Sequence, residues 1–247
     1  MILTVNRVPL YRSIAVAVLS IVGLFASAQV EVNSTLTPDE YVNDVLLGTG
    51  VEATNVVFTG SPVQIGHITG FDLAEFPIEA GLILSTEVAN NPANVDDQCV
   101  DEFIDDNLEV SGDPDLLTIA NSVPPLIGQN FSVNSVNDVC AIEFDFVATG
   151  DTIRFNYVFG SDEYLAWINS QYNDIFGFFL SGPGINGPYA DNAINLAEVP
   201  GSDPQLAITI SSVNNVTNSA YYVDNPANDI LCPVSYTHLR AHETRPY

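Results

Sequence analysis

The sequence predicts an all-β domain, a β-sandwich or jelly roll with one short N-terminal helix. Short alternating or apolar runs rich in Val, Ile, Phe and Tyr recur along the chain. Gly, Pro and Asn turns separate them, and helical periodicity all but ends after residue 50.

The elements follow in order. Leu36 to Leu47 (LTPDEYVNDVLL) reads as the helix. Thr37 is the candidate N-cap, Pro38 suits the first helical position, and Asp39 and Glu40 suit the dipole of the first turn. Tyr41, Val42, Val45 and Leu46 make the apolar stripe, and Gly48 and Gly50 end it. Asn55–Thr59, Gln64–Thr69 and Gly81–Ser85 are short strand candidates. Residues 90–113 form a long acidic loop, and Leu116–Ala120 fits a short helix. Ala141–Ala148 and Thr152–Phe159 alternate apolar and polar residues around a Thr-Gly-Asp turn, which predicts a hairpin. Ile175–Leu180 (IFGFFL) is continuously apolar and reads as a strand buried on both faces. Ala207–Val213 (AITISSV) reads as a further strand.

The two ends differ from this span. Residues 1–28 read as a cleaved export signal: Arg7 and Arg12, then an apolar run of 12 residues (Ile14–Phe25), then Ala26-Ser27-Ala28. That run is shorter than the ~20 residues of a membrane span, so the mature chain is expected outside the cell or on its surface, with no membrane span. Residues 234–247 (VSYTHLRAHETRPY) hold two of the five Arg and two of the three His. They resemble translated sequencing-adapter read-through, so they are expected to be a non-native tail that leaves the domain, residues 29–233, incomplete at its C-terminus. His238 and His242 therefore carry no zinc reading.

The chain has 31 acidic residues against 5 basic ones, a net charge of −26, and no Lys. Between residues 29 and 233 the only basic side chain is Arg154. Nucleic acid is excluded as a partner class, because neutralising phosphates takes Lys and Arg. Anionic membrane surfaces are disfavoured for the same reason, and cations are favoured. Export makes disulfides plausible. Cys99 and Cys140 are the candidate pair, and Cys232 is left over; three reduced thiols are the alternative.

Four oxygen-bearing side chains lie between two aromatic runs in FNYVFGSDEYLAWINSQYNDIFGFFLSGPG (Phe155–Gly184). Asp162, Glu163, Asn173 and Asp174 are hard ligands of the kind calcium takes, and calcium is the one cofactor the sequence suggests. The same residue types cap turns, and no D-x-D-x-D-G loop is present. A second acidic cluster, Asp96, Asp97, Asp101, Glu102, Asp105 and Asp106, reads as a cation site or a solvated loop. Tyr164, Trp167 and Tyr172 would make a glycan-stacking platform or, alternatively, packing for the segment that carries them.

Catalysis has little support. His67 is the single histidine before the tail, no G-x-S-x-G elbow occurs, and Glu163 with Asp174 as a glycosidase pair is one of many acid pairs in such a chain.

Phe159–Tyr164 (FGSDEY), Tyr172–Ile185 (YNDIFGFFLSGPGI), Asn195–Gly201 (NLAEVPG) and Val213-Asn214 together resemble the choice-of-anchor L domain family. VNDVLLGTGVEATNVVFTG and GLILST near the start resemble the family's opening. Tyr172 stands where the family usually has Phe. The resemblance implies a bacterial surface or secreted protein without established activity. The expectation is an interaction or adhesion module, with calcium as its candidate stabiliser, whose partner is a protein or glycan at the cell surface. A purely structural domain is the alternative, and a carbohydrate-active or glycan-binding domain the third reading.

Overall fold

The computed structural model describes residues 30–48, 51–71, 73, 76–90, 112–148, 155–161 and 163–224, and the backbone of 235–240. Most of its regular structure is antiparallel strand, as expected. β1 (Glu31–Asn33) leads into α1 (Pro38–Glu40), which widens into a π-helical turn over Tyr41–Leu46. The helix begins where its sequence says it should. The Thr37 hydroxyl accepts the Glu40 N–H at 3.3 Å and the Glu40 carboxylate accepts the Thr37 N–H at 2.7 Å, a reciprocal capping box. The helix buries Tyr41 and Val42, and the Tyr41 hydroxyl donates to the Asn33 carbonyl at 3.1 Å, tying helix to strand.

The remaining elements are β2 (Ala53–Thr59), β3 (Ile65–Thr69), β4 (Ala80–Leu84), α2 (Pro114–Leu126), β5 (Ala141–Phe146), β6 (Asn156–Ser161), β7 (Phe179–Leu180), β8 (Ile194–Asn195), β9 (Tyr222–Asp224) and β10 (Ser235–Arg240). They form four small sheets, ordered β1-β3-β4, β2-β5, β6-β10-β9 and β7-β8. β10, in the segment whose composition sets it apart, lies between β6 and β9.

Ile175–Leu180, expected as a strand buried on both faces, is half-buried and forms a strand only at Phe179–Leu180, and three further expectations change. Among the described residues β5 pairs not with the strand after it but with β2, nearly ninety residues earlier, with Phe58 opposite Ile142 and Thr59 opposite Ala141; the expected turn and the residues up to 154 lie outside the described residues. Both partners alternate, so either ladder keeps the same faces inward. A bulge between Thr54 and Val57 fits the chosen register. There Asn55 takes a left-handed turn (φ 54°) and donates to the Asp145 carboxylate at 2.7 Å. Second, the expected helix at 116–120 is thirteen residues long and starts earlier. The Asp113 carboxylate accepts the Asp115 and Leu116 N–H groups at 2.9 and 2.8 Å. Third, 207–213 is no continuous strand. It makes single bridges, Ala207 to Glu198 and Thr209 to Ile175, and then turns.

The main core packs Ile119 and Val123 of α2 against Ala197, Val199, Leu206, Ala207, Ile208 and Val213. A smaller cluster holds Ile68, Phe71 and Phe76, the two rings stacked at 4.2 Å. β6 serves both: Tyr157 and Phe159 face the main core, while Val158 between them packs on the smaller one.

Ile208 is wholly buried at the centre of the main core. Ile208→Ala is expected to lower stability by about 2–5 kcal/mol, read by urea unfolding. Val57→Ala, at a half-exposed position, should stay within about 0.5 kcal/mol of the parent.

Candidate functional site

β6 ends at Ser161, a buried residue whose hydroxyl does two things. It donates to Asp174 Oδ2 at 2.6 Å and accepts the Glu163 N–H at 3.0 Å. The bond to Asp174 draws together the two ends of the segment 162–173, which leaves the sheet as an insert. The insert is also pinned from below. Asn173 Oδ1 accepts the Ser211 N–H at 3.3 Å, the Asp174 carbonyl accepts the Ile210 N–H at 3.2 Å, and Ser211 Oγ accepts the Asn169 N–H at 2.9 Å. Inside the insert, Trp167 N–H donates to the Glu163 carbonyl at 3.1 Å. Ser170 Oγ donates to the Trp167 carbonyl at 2.6 Å and accepts the Tyr172 N–H at 3.1 Å. Asn169 supplies the left-handed turn such a short loop needs, at φ 60°.

The structure brings Glu163, Asn173 and Asp174 to this neck, while Asp162 lies outside the described residues. Their roles differ. Asn173 is buried and turns its oxygen inward to Ser211; its amide nitrogen is also buried and finds no hydrogen-bond partner among the described residues. Asp174 keeps solvent contact along one side. Crowding on the other raises its pKa above the usual carboxylate value, and the Ser161 hydrogen bond acts in the opposite sense. Among the described residues, no three His, Cys, Asp or Glu side chains converge on one point. The second acidic cluster, residues 96–106, lies outside the described residues.

The three insert aromatics do not share a face. Tyr164 is only 5% exposed, and its ring packs against Tyr222 at 5.2 Å. Its hydroxyl is buried without a hydrogen-bond partner among the described residues. Burial raises its pKa, helped by Tyr222 and by the charge of Asp174. A ring so enclosed cannot stack on a sugar, so Tyr164 leaves the expected platform. Trp167 and Tyr172 remain, 47% and 53% exposed, packed edge to face at 4.9 Å.

Ser161 has the hydrogen bonds of a turn cap, with its hydroxyl occupied by a carboxylate and a backbone N–H. His67 sits in β3 opposite Asn33 and Leu82. Cys140 donates its thiol to the Gln64 carbonyl at 3.4 Å, and burial pushes its pKa up to about 12, which keeps it protonated and unreactive. Its candidate partner Cys99, and Cys232, lie outside the described residues.

Two features escaped the sequence. Ser161 and Ser211 position the insert, yet nothing separates them from the chain's many other serines until β6 and segment 206–214 are placed. Glu198 lies between buried Ala197 and Val199 and bridges to Ala207. Burial pushes its carboxyl up to about 7, against a lowering hydrogen bond from Gln205.

No helix among the described residues is long and apolar enough to cross a membrane. The molecule's regular structure, mostly antiparallel ladders, defines an all-β module. The family model of the choice-of-anchor L domain matches residues 29–242, nearly the whole chain, and the chain belongs to that family. No curated protein and no solved structure matches it.

Glu198 gives a testable pH dependence. Its native pKa lies above the ordinary 4.5, so the fold favours the protonated acid. That contribution is complete below pH 4.5 and is lost as pH rises through about 7. The urea midpoint is expected to fall across this window, and Glu198→Gln should flatten the fall and stabilise the protein at alkaline pH.

Proposed function

We propose that the protein is an exported cell-surface interaction module that binds a neutral glycan through the aromatic face of its insert. The observation that carries this is the exposed pair Trp167 and Tyr172, on a segment fastened at both ends and in the middle. Exposed rings held rigidly offer flat apolar area at little entropic cost. Sugar rings present apolar C–H faces that match such area, and the hydroxyls and amides of Asn169, Ser170 and Gln171 flank it in sequence. The charge of −26 disfavours anionic polysaccharides. A standard protein interface buries about 1,200–2,000 Å² in total, far beyond what two half-exposed rings supply. The competing reading is a structural domain that takes no ligand.

Trp167 is the chain's only tryptophan, so its fluorescence reports directly on this face. Titration with cellohexaose, laminarihexaose, xylohexaose, mannohexaose and chitohexaose is expected to shift or quench the emission for at least one of them. Tyr172→Ala should weaken that response by about tenfold, since one stacked ring is worth on the order of 1 kcal/mol or more, with the thermal midpoint unchanged. Silence across the panel would favour the ligand-free structural domain.

Ser161→Ala tests the fastening. Losing a hydrogen bond to a carboxylate is expected to cost about 1.5–3 kcal/mol. It should also change Trp167 emission without any ligand, because the insert loses the clasp between its two ends.

A further inference from the structure

We infer that the aromatic face of the insert takes a coiled neutral glycan, a chain whose successive pyranose rings are turned against one another, and refuses the flat ribbon of a β-1,4-glucan. The inference rests on the glycan reading above and adds to it the shape of the chain.

The angle between the two rings carries it. Trp167 and Tyr172 meet at 71° with their centroids 4.9 Å apart, so they stand as two walls of a corner and not as one plane. Each keeps about half of its surface open, 47% and 53%, so neither wall is hidden by the other. A pyranose stacks on an aromatic ring by laying its C–H face flat against it, and the contact weakens steeply as the surfaces part. The rings of a flat ribbon share one plane. Laid on Trp167, such a ribbon meets Tyr172 nearly edge-on, and laid on Tyr172 it meets Trp167 the same way. Only one of the two exposed rings is then used. A coiled chain turns each sugar relative to the last, so two adjacent sugars can lie one on each wall. The closeness of the rings suits neighbouring residues of a chain, and the indole N–H and the phenol hydroxyl put one polar group on each wall for the sugar hydroxyls.

The corner is also held in shape. Ser170 Oγ donates to the Trp167 carbonyl at 2.6 Å and accepts the Tyr172 N–H at 3.1 Å, so one hydroxyl ties the backbone beneath both rings. Between the rings in sequence, the Asn169 N–H donates at 2.9 Å to Ser211, a wholly buried residue. Flattening the pair to meet a ribbon would give up the edge-to-face contact between the rings. A site whose angle is set before the ligand arrives spends little ordering on binding and discriminates by shape.

The test uses the full chain and the hexaose panel, which divides by shape. Laminarihexaose and xylohexaose coil, whereas cellohexaose, mannohexaose and chitohexaose extend as flat ribbons. Trp167 emission is expected to report binding of a coiled hexaose about tenfold or more tighter than that of any flat one. Over microcrystalline cellulose the protein should stay in the supernatant. Tyr172→Ala should erase the preference, because with one wall left coiled and flat chains bind alike. Should that variant lose its cooperative melt, Tyr172→Leu, which keeps apolar bulk without a ring, takes its place. Equal or tighter binding of a flat hexaose, or co-sedimentation with cellulose that Trp167→Ala abolishes, overturns the inference and leaves the glycan reading standing. A Tyr172 variant that binds every hexaose more weakly by one common factor overturns it too, since the second ring then adds area without choosing shape. Silence toward the whole panel brings down the glycan reading and this inference with it, so the two failures are distinguishable.

Discussion

The structure depends on one buried polar segment. Every residue from 206 to 214 is buried, and four of them, Thr209, Ser211, Ser212 and Asn214, are polar and wholly enclosed. Polar groups without water must find partners inside the protein, and these do. Thr209 and Ser212 exchange bonds, the Thr209 N–H to Ser212 Oγ at 2.8 Å and the Ser212 N–H to Thr209 Oγ1 at 3.0 Å. The Ser212 hydroxyl donates to the Ala207 carbonyl at 2.6 Å. Asn214 donates to the carbonyls of Ile210 and Ser211 and accepts the N–H groups of Val216 and Thr217. The apolar residues between them make the main core against α2, while the polar ones hold the insert. Packing and site geometry thus share one stretch of backbone, and a networked arrangement of this kind is stiffer than its separate bonds suggest.

The same segment shows where sequence reading stops. AITISSV carries the alternation of a strand, and period-two alternation is what a half-buried ladder requires. Here the hydroxyls satisfy local backbone N–H groups instead, and the chain turns after two isolated bridges. Ser and Thr can do either, and only the neighbours choose. The start of α1 was legible because its signal is local: Thr37, Pro38 and Glu40 make a cap from four consecutive residues. β2, β3 and β4 fall close to the runs marked for them, for the same reason. The partner of β5 was not legible, since two alternating strands carry no mark of whom they pair with.

At the site, Glu163, Asn173 and Asp174 stand out in the sequence as oxygen donors between apolar runs, but Ser161, which bonds Asp174 Oδ2 and the Glu163 N–H, does not. The orientation of Tyr164 was hidden. FGSDEY places it in a turn, and only the ring of Tyr222, nearly sixty residues later, shows that it points inward. Burial, opposed by hydrogen bonds from Ser161 and Gln205, shifts Asp174 and Glu198 toward the protonated form.

The β2–β5 ladder bears on how the chain acquires its shape. Ala53 opposite Phe146 closes a loop of roughly ninety residues, and the entropy of such closure is on the order of 4 kcal/mol before any contact repays it. Local pieces, the capped first helix and the α2 turns, can form in isolation within microseconds. The distant pairing cannot, and folds dominated by pairings of this range reach the native state in milliseconds to seconds. Until then β2 and β5 each present an unpaired edge, so the interval between synthesis and completed folding is the period in which this molecule is most open to chaperones, proteases and self-association.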